Sequence, residues 1–138
     1  MDAPFKRAQF EYDHRQPTDD EDTRGLRWIE DGVEQLLIGG DVLFKRRLHA
    51  VQGVTFEQFA IAVDEFASER LSGCGTSPSV LGRLIVAARR KAASEAASAA
   101  AEILGMPDAD EALRQIAARL LEPQVREGLI AKDEDDEL

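Results

Sequence analysis

An alanine-rich stretch between Ser77 and Gly105 constrains the fold of this chain more than any other part of its sequence. Its apolar residues recur every three or four positions, which is the period of an amphipathic helix. Ser77 can cap such a helix, Pro78 suits its first position, and the pattern ends at Gly105. The stretch therefore predicts one long helix over residues 78–104, roughly 40 Å in length.

Small residues dominate the second half of this predicted helix, where Ala92, Ala96 and Ala99 lie on the apolar stripe. A stripe with so little side-chain volume requires any packing partner to approach closely. That requirement suits another helix, either from this chain or from a second copy. Ala92, Ala96 and Ala99 are therefore candidate interaction residues.

A first helix is predicted from about residue 18 to residue 37. Thr18 and Glu21 form a capping-box pattern at its start, and Gly39 and Gly40 stop it. Its apolar face has helical spacing and consists of Leu26, Ile29, Val33, Leu36 and Leu37.

The next segment allows two interpretations. Asp41 can cap a helix over VLFKRRLHAVQ, whose Phe44, Leu48 and Val51 would lie on one side. Alternatively, the apolar runs of residues 35–45 are joined through glycines and could form a small hairpin.

A third helix begins after Thr55. Thr55 and Gln58 have capping-box spacing, and Val54 and Phe59 have the spacing of a hydrophobic staple. The stretch also resembles the end of a calcium-binding EF-hand loop. However, the preceding residues RRLHAVQ contain no carboxylate, so a calcium site is not expected here.

The last predicted helix starts with the cap Asp108 and ends at Pro123. With 138 residues, the chain has the length of one ordinary domain. We therefore predict an all-α fold, a single-domain bundle of about five helices. An acidic flexible arm, residues 1–17, would precede the helical domain 18–131, and an acidic disordered tail, residues 132–138, would follow it.

The formal net charge of −10 disfavours nonspecific binding to nucleic acid and to anionic membranes, because like charges repel at long range. The single cysteine excludes an internal disulfide and fits a reducing compartment. No signal-like segment or apolar stretch of membrane-spanning length stands out. These features predict a cytoplasmic protein.

The sequence supplies no convergent set of catalytic groups. Cys74, His14 and His49 are the only candidates for a nucleophile and its base, and they are far apart in the chain. They also lack the spacing of zinc ligands. Gly73 and Gly75 precede a helix start and give a weak phosphate-binding signal, but no nucleotide fingerprint is met. We therefore expect no enzyme activity, metal or cofactor.

Two basic clusters stand out from the acidic background, and both are candidate interaction sites. They consist of Lys45, Arg46 and Arg47, and of Arg89, Arg90 and Lys91. Either they contact the phosphates of a nucleic acid, or they dock acidic segments such as 107–111 and 133–138, within the chain or between copies.

The sequence best fits a non-enzymatic protein–protein interaction or assembly adaptor of phage or bacterial type, which self-associates as a homo-oligomer. Two other functions remain open. One is a helical regulator that binds nucleic acid through the basic clusters. The other is an acidic inhibitor that mimics nucleic acid and binds a basic protein.

Overall fold

Helices make up most of the chain in the structure, a computed structural model that describes residues 17–136, with side chains from residue 22 onward. The elements are α1 (Pro17–Leu37), β1 (Val42–Phe44), β2 (Gln52–Val54), α2 (Phe56–Ser72), α3 (Val80–Arg90), α4 (Ala93–Leu104), α5 (Ala109–Leu121), a 3₁₀ turn (Glu122–Gln124) and α6 (Val125–Asp136). The predicted all-α bundle of about five helices is confirmed.

The main core lies between α1 and α5. Leu36 of α1 and Leu121 of α5 are completely buried there, and burial of a leucine side chain stabilises a fold by roughly 1.5–3 kcal/mol. Ala117 faces α1, where its small side chain lets the helices approach. Val54 and Phe59 close this core from the hairpin and α2, which places the predicted staple inside it.

A second core holds α2, α3 and α4 together. Val80 of α3 packs against Ala99 and Ile103 of α4, and all three side chains are buried. Arg70 at the end of α2 donates hydrogen bonds to the carbonyl oxygens of Ile103, at 3.0 Å, and Glu102, at 3.3 Å. Arg70 thereby gives the Ile103 carbonyl, in the last turn of α4, a donor, while the Glu102 carbonyl also accepts from the Gly105 amide.

The prediction of one helix over 78–104 is wrong, because the chain reverses at Lys91. Lys91 has a left-handed φ of 60°, and the backbone amide of Ala92 donates to the carbonyl of Ala87 at 2.9 Å, as in a Schellman motif. The reversal folds α4 back onto α3, which buries Ala99 and Ile103. This burial outweighs the local preference of an alanine-rich segment for an unbroken helix.

The prediction of a helix over 42–52 is also wrong. Val42 pairs with Val54, and Phe44 pairs with Gln52, in an antiparallel hairpin. The second strand of the hairpin is therefore residues 52–54. The alternative prediction instead paired two apolar runs within residues 35–45 through a turn at Gly39 and Gly40. Those glycines instead form the turn that ends α1.

Gly53 explains why this hairpin forms. Its φ of 134° is accessible to glycine, and a Cβ atom there would lie 2.0 Å from the carbonyl oxygen of Val42. The ring of Phe44 meets Trp28, which packs against the main core, edge-on with centroids 5.8 Å apart. Leu48, assigned to an apolar helix face by the sequence, is fully exposed in the connecting loop.

Two helices begin where the sequence predicts. Thr55 accepts a hydrogen bond from the amide of Gln58, whose side chain accepts one from the Thr55 amide, so the predicted capping box of α2 is confirmed. Asp108 caps α5 by accepting from the amide of Asp110. The capping box at Thr18 concerns side chains outside the described part of the structure.

The predictions for the two ends of the chain can be compared with the structure to different extents. The predicted arm falls on residues 1–17, and all but the last of these lie outside the described residues. At the other end, residues 132–136 continue α6 as a helix, where the sequence predicted a disordered tail. Ion pairs to the rest of the molecule, described below, hold this acidic segment.

The helix α6 lies directly on Trp28, the single tryptophan of the chain. A Cβ atom at Gly128 would lie 2.3 Å from Cζ2 of the indole ring. Gly128 is therefore needed for this approach, although glycine lowers helix stability elsewhere.

Replacement of Lys91 by glycine should raise the free energy of unfolding by roughly 0.5–1 kcal/mol, because glycine relieves the strain of a left-handed side chain. In an unbroken helix the same change would lower it by about 1 kcal/mol. Urea unfolding shows whether the free energy of unfolding rises or falls. Lys91→Ala is the control, because alanine keeps a Cβ atom in the left-handed conformation.

Gly128→Ala should destabilise the protein by roughly 1–3 kcal/mol, because the new methyl group displaces Trp28. Gly82→Ala is the matched control in α3, where an added Cβ meets nothing within 4 Å. That control should stabilise the protein by up to about 1 kcal/mol. Equal effects of the two variants in thermal unfolding would contradict the packing of α6 on Trp28.

Candidate interaction surface

One side of α3 is an exposed apolar surface. Leu81, Ile85 and Val86 are 46%, 60% and 54% exposed. Leu81 and Ile85 are neighbours at i and i+4, and Val86 lies roughly 100° farther around the same side of the helix. The opposite side of α3 is occupied, since Val80 and Ala87 are buried. We call Leu81, Ile85 and Val86 the α3 face.

The α3 face ends in a cluster of cations. Residues 80–92 contain four cationic side chains and no carboxylate. Arg90 pairs with Glu95 of α4 at 2.9 Å, and Arg83 pairs with Glu102 at 2.9 Å. Within residues 22–136, Arg89 and Lys91 have no ion pair, so two full charges stand free at the carboxyl end of α3.

A groove of about 520 Å³ runs beside the α3 face, between α3 and α4. Val86 and Gly82 give it an apolar floor, and Arg90 and Glu95 form part of its rim. The α3 face and this groove together make a surface with an apolar centre and a charged edge, which is typical of protein interfaces.

The small residues predicted for interaction pack inside the molecule instead. Ala99 is 1% exposed in the second core, and Ala92 and Ala96 are half-buried in the α3–α4 hairpin. The close approach predicted for this stripe is therefore made by α3 of the same chain. Ala99 is not accessible to a second copy.

The first basic cluster docks on α6. Arg46 pairs with Glu127 at 2.7 Å, and Arg47 donates its backbone amide to the carboxylate of Glu134 at 2.7 Å. The structure thus places an acidic segment of this chain against Arg46 and Arg47. Lys45 remains exposed.

The Arg46–Glu127 pair perturbs both groups. The hydrogen bond from Arg46 holds the pKa of Glu127 below its ordinary value, and the same bond raises the pKa of Arg46. Both side chains are partly shielded from water, which strengthens the attraction between them. The pair fixes the hairpin loop to α6 at neutral pH.

At the amino end of α3, a carboxylate of the chain itself occupies the site where the sequence suggested a phosphate. Glu102 accepts hydrogen bonds from the Ser77 hydroxyl, from the Ser77 amide at 2.6 Å and from Arg83 at 2.9 Å. These bonds, the Ser77 hydroxyl first, lower the pKa of Glu102 to about 2. The helix cap is Ser79, which makes no side-chain cap bond, and the predicted cap Ser77 binds Glu102 instead.

The other candidate groups stay apart. Cys74 is exposed in the α2–α3 loop, His49 is exposed in the hairpin loop, and His14 lies outside the described residues. Among residues 17–136, no three His, Cys, Asp or Glu side chains are placed to hold a metal ion. In the same range, no helix is long and apolar enough to cross a membrane.

A second groove, of about 850 Å³, lies between α1 and α6. Its wall is largely aliphatic, with Leu26 63% exposed at its mouth. Arg24 pairs with Asp133 across it at 2.6 Å. The residues that line the groove on the apolar side are Leu26, Ile29, Val125, Leu129 and Ile130.

The apolar stripe predicted for residues 78–104 includes Leu81 and Ile85, but the prediction did not identify them as an exposed surface. A signal was present, because the run VLGRLIVAA is apolar on nearly every side of a helix. A single packing partner cannot cover such a helix. The α1–α6 groove had no comparable signal, because residues distant in the chain form its two walls.

Glu102→Gln should lower stability at neutral pH, because Ser77 and Arg83 lose a charged acceptor. A depressed pKa contributes stability that is present above the ordinary value of 4.5 and is lost as the pH falls toward about 2. The stabilities of wild type and variant, measured by urea unfolding, should therefore converge between pH 5 and pH 2. Glu95→Gln, which removes a carboxylate from an exposed ion pair, is the control. A stability difference between wild type and Glu102→Gln that stays constant with pH would contradict the lowered pKa of Glu102.

Comparisons with known proteins add no constraint on the function of this surface: no family model matches the chain, and no curated protein or solved structure matches it significantly.

Proposed function

We propose that this protein is a non-enzymatic interaction protein that acts as an assembly adaptor and self-associates through the α3 face. The observation that carries the proposal is the exposure of Leu81, Ile85 and Val86 on the side of α3 opposite its buried residues. Contiguous apolar surface on a folded protein commonly marks a binding site.

The energetic argument concerns three aliphatic side chains. Complete burial of one such side chain stabilises a complex by roughly 1.5–3 kcal/mol, and association itself is opposed by the loss of translational and rotational freedom. The α3 face alone therefore supports a contact of modest strength. The groove beside it, with Val86 in its floor, extends the surface that a partner can cover.

Charge favours a second copy of this chain as the partner. The carboxyl end of the α3 face carries the free cations Arg89 and Lys91, whereas the whole chain has a net charge of −10. A second copy therefore carries an excess of carboxylates that can complement this end of α3. Such complementarity accelerates association and selects partners.

The nucleic-acid alternative has less support. The Arg46 guanidinium is paired with Glu127, and the Arg90 guanidinium is paired with Glu95. The Arg47 guanidinium donates to the backbone carbonyl of Glu134. Phosphate binding at Arg46 or Arg90 would have to displace a carboxylate. The acidic-mimic alternative meets a similar obstacle, since part of the carboxyl-terminal acidic segment is engaged within the chain.

Ile85→Asp should weaken self-association at least about tenfold, because a carboxylate replaces an aliphatic side chain at the centre of the contact. Sedimentation velocity over a range of protein concentrations measures the effect. Ile61→Asp is the matched control, because Ile61 is 50% exposed on α2, outside the α3 face. It should associate like wild type.

Two results would count against this function. If the wild-type protein stays monomeric up to millimolar concentration, it does not self-associate and the proposed function is wrong. Binding of a DNA duplex that is lost in the double variant Arg89→Ala, Arg90→Ala, without any effect of Ile85→Asp, would favour the nucleic-acid regulator instead.

A further inference from the structure

We propose that the α1–α6 groove of one copy receives the α3 face of a second copy. This inference rests on the proposed self-association and names the surface that α3 contacts. The contact is heterologous, since two different surfaces meet.

The apolar parts of the α3 face and of the α1–α6 groove are both aliphatic and have similar lengths. The α3 face projects three aliphatic side chains from one helix, and the groove offers aliphatic walls on α1 and α6. Leu81 to Val86 spans roughly 8 Å along its helix, and the α1 wall from Asp22 to Ile29 spans roughly 10 Å. A helix that lays its apolar side into a groove between helices is a recurring mode of recognition.

One end of the groove carries exposed carboxylates. Arg24 of α1 pairs with Asp133 of α6 at 2.6 Å. The end of α6 therefore lies near the start of α1. Asp22 lines the groove, and Asp135 and Asp136 are exposed at the end of α6, beyond the paired Asp133.

This acidic end fixes the orientation of the incoming helix. Arg89 and Lys91 follow the α3 face toward the carboxyl end of α3, so they reach the acidic end when the aliphatic side chains fill the groove. The helix dipoles agree, because the negative carboxyl end of α3 then approaches the positive amino end of α1.

A symmetric contact between two α3 faces fits the charges less well. Residues 80–92 contain four cations and no carboxylate, so two such segments would bring like charges together. In the groove, the same cations meet carboxylates. The groove, which has exposed carboxylates at one end, is therefore the better receptor for α3.

The experiment uses two variants of the full chain, each of which removes one of the two surfaces. Ile85→Asp changes the α3 face and leaves the groove intact. Leu26→Lys changes the mouth of the groove, where Leu26 is 63% exposed, and leaves α3 intact. Circular dichroism checks the fold, and Leu26→Gln replaces the lysine variant if that variant unfolds.

The expected result is complementation. Each variant alone should be monomeric at concentrations where wild type and Ile61→Asp associate. An equimolar mixture should form a one-to-one dimer that grows no further, because it contains one intact α3 face and one intact groove. Analytical ultracentrifugation distinguishes the dimer from larger assemblies.

The results that overturn the inference differ from those that overturn the proposed function. If Leu26→Lys associates like wild type while Ile85→Asp is monomeric, α3 binds a surface other than the groove and the self-association stands. If both variants are monomeric and the mixture stays monomeric, the contact is not heterologous. If Ile85→Asp associates like wild type, both proposals fail.

Discussion

The chain reversal at Lys91 is the constraint on which the rest of the structure depends. It turns α4 back along α3 and thereby buries Ala99 and Ile103 against Val80. It also brings Glu102 to the start of α3, where its carboxylate accepts hydrogen bonds from Ser77. An unbroken helix would hold none of these groups together, and the α3 face would not have a buried opposite side.

A second set of contacts holds the hairpin and the carboxyl-terminal helix to the main core. Gly128 lets α6 lie on Trp28, and ion pairs from Arg46 and Arg24 to α6 hold its acidic side. The helix then forms one wall of the groove beside α1. Carboxylates that would repel one another in an isolated tail are thus distributed around fixed cations.

The proposed heterologous contact follows from an asymmetry between two surfaces. One helix carries exposed aliphatic side chains and ends in free cations, whereas the groove between α1 and α6 is aliphatic and ends in carboxylates. Two such surfaces on one chain favour contacts between copies. Because the surfaces differ, repeated contacts of the proposed kind would generate a ring or an open chain of copies.

The sequence by itself determined the elements whose signals are local. The cap at Thr55, the cap at Asp108 and the end of α1 before Gly39 depend on residues within one helical turn, so spacing was enough to predict them. The all-α fold followed from the same local patterns. Each of these features would be present in a short segment of the chain.

Only the tertiary structure decided what each apolar residue contacts. The break at Lys91 and the strand at Val42 have weak local signals, and burial against distant segments outweighed local helix preference at both places. The same holds for Ile85, which has the spacing of a core residue but lies on the side of α3 that no other element covers. Exposure is settled by the packing of whole helices, which the order of residues in one segment does not specify.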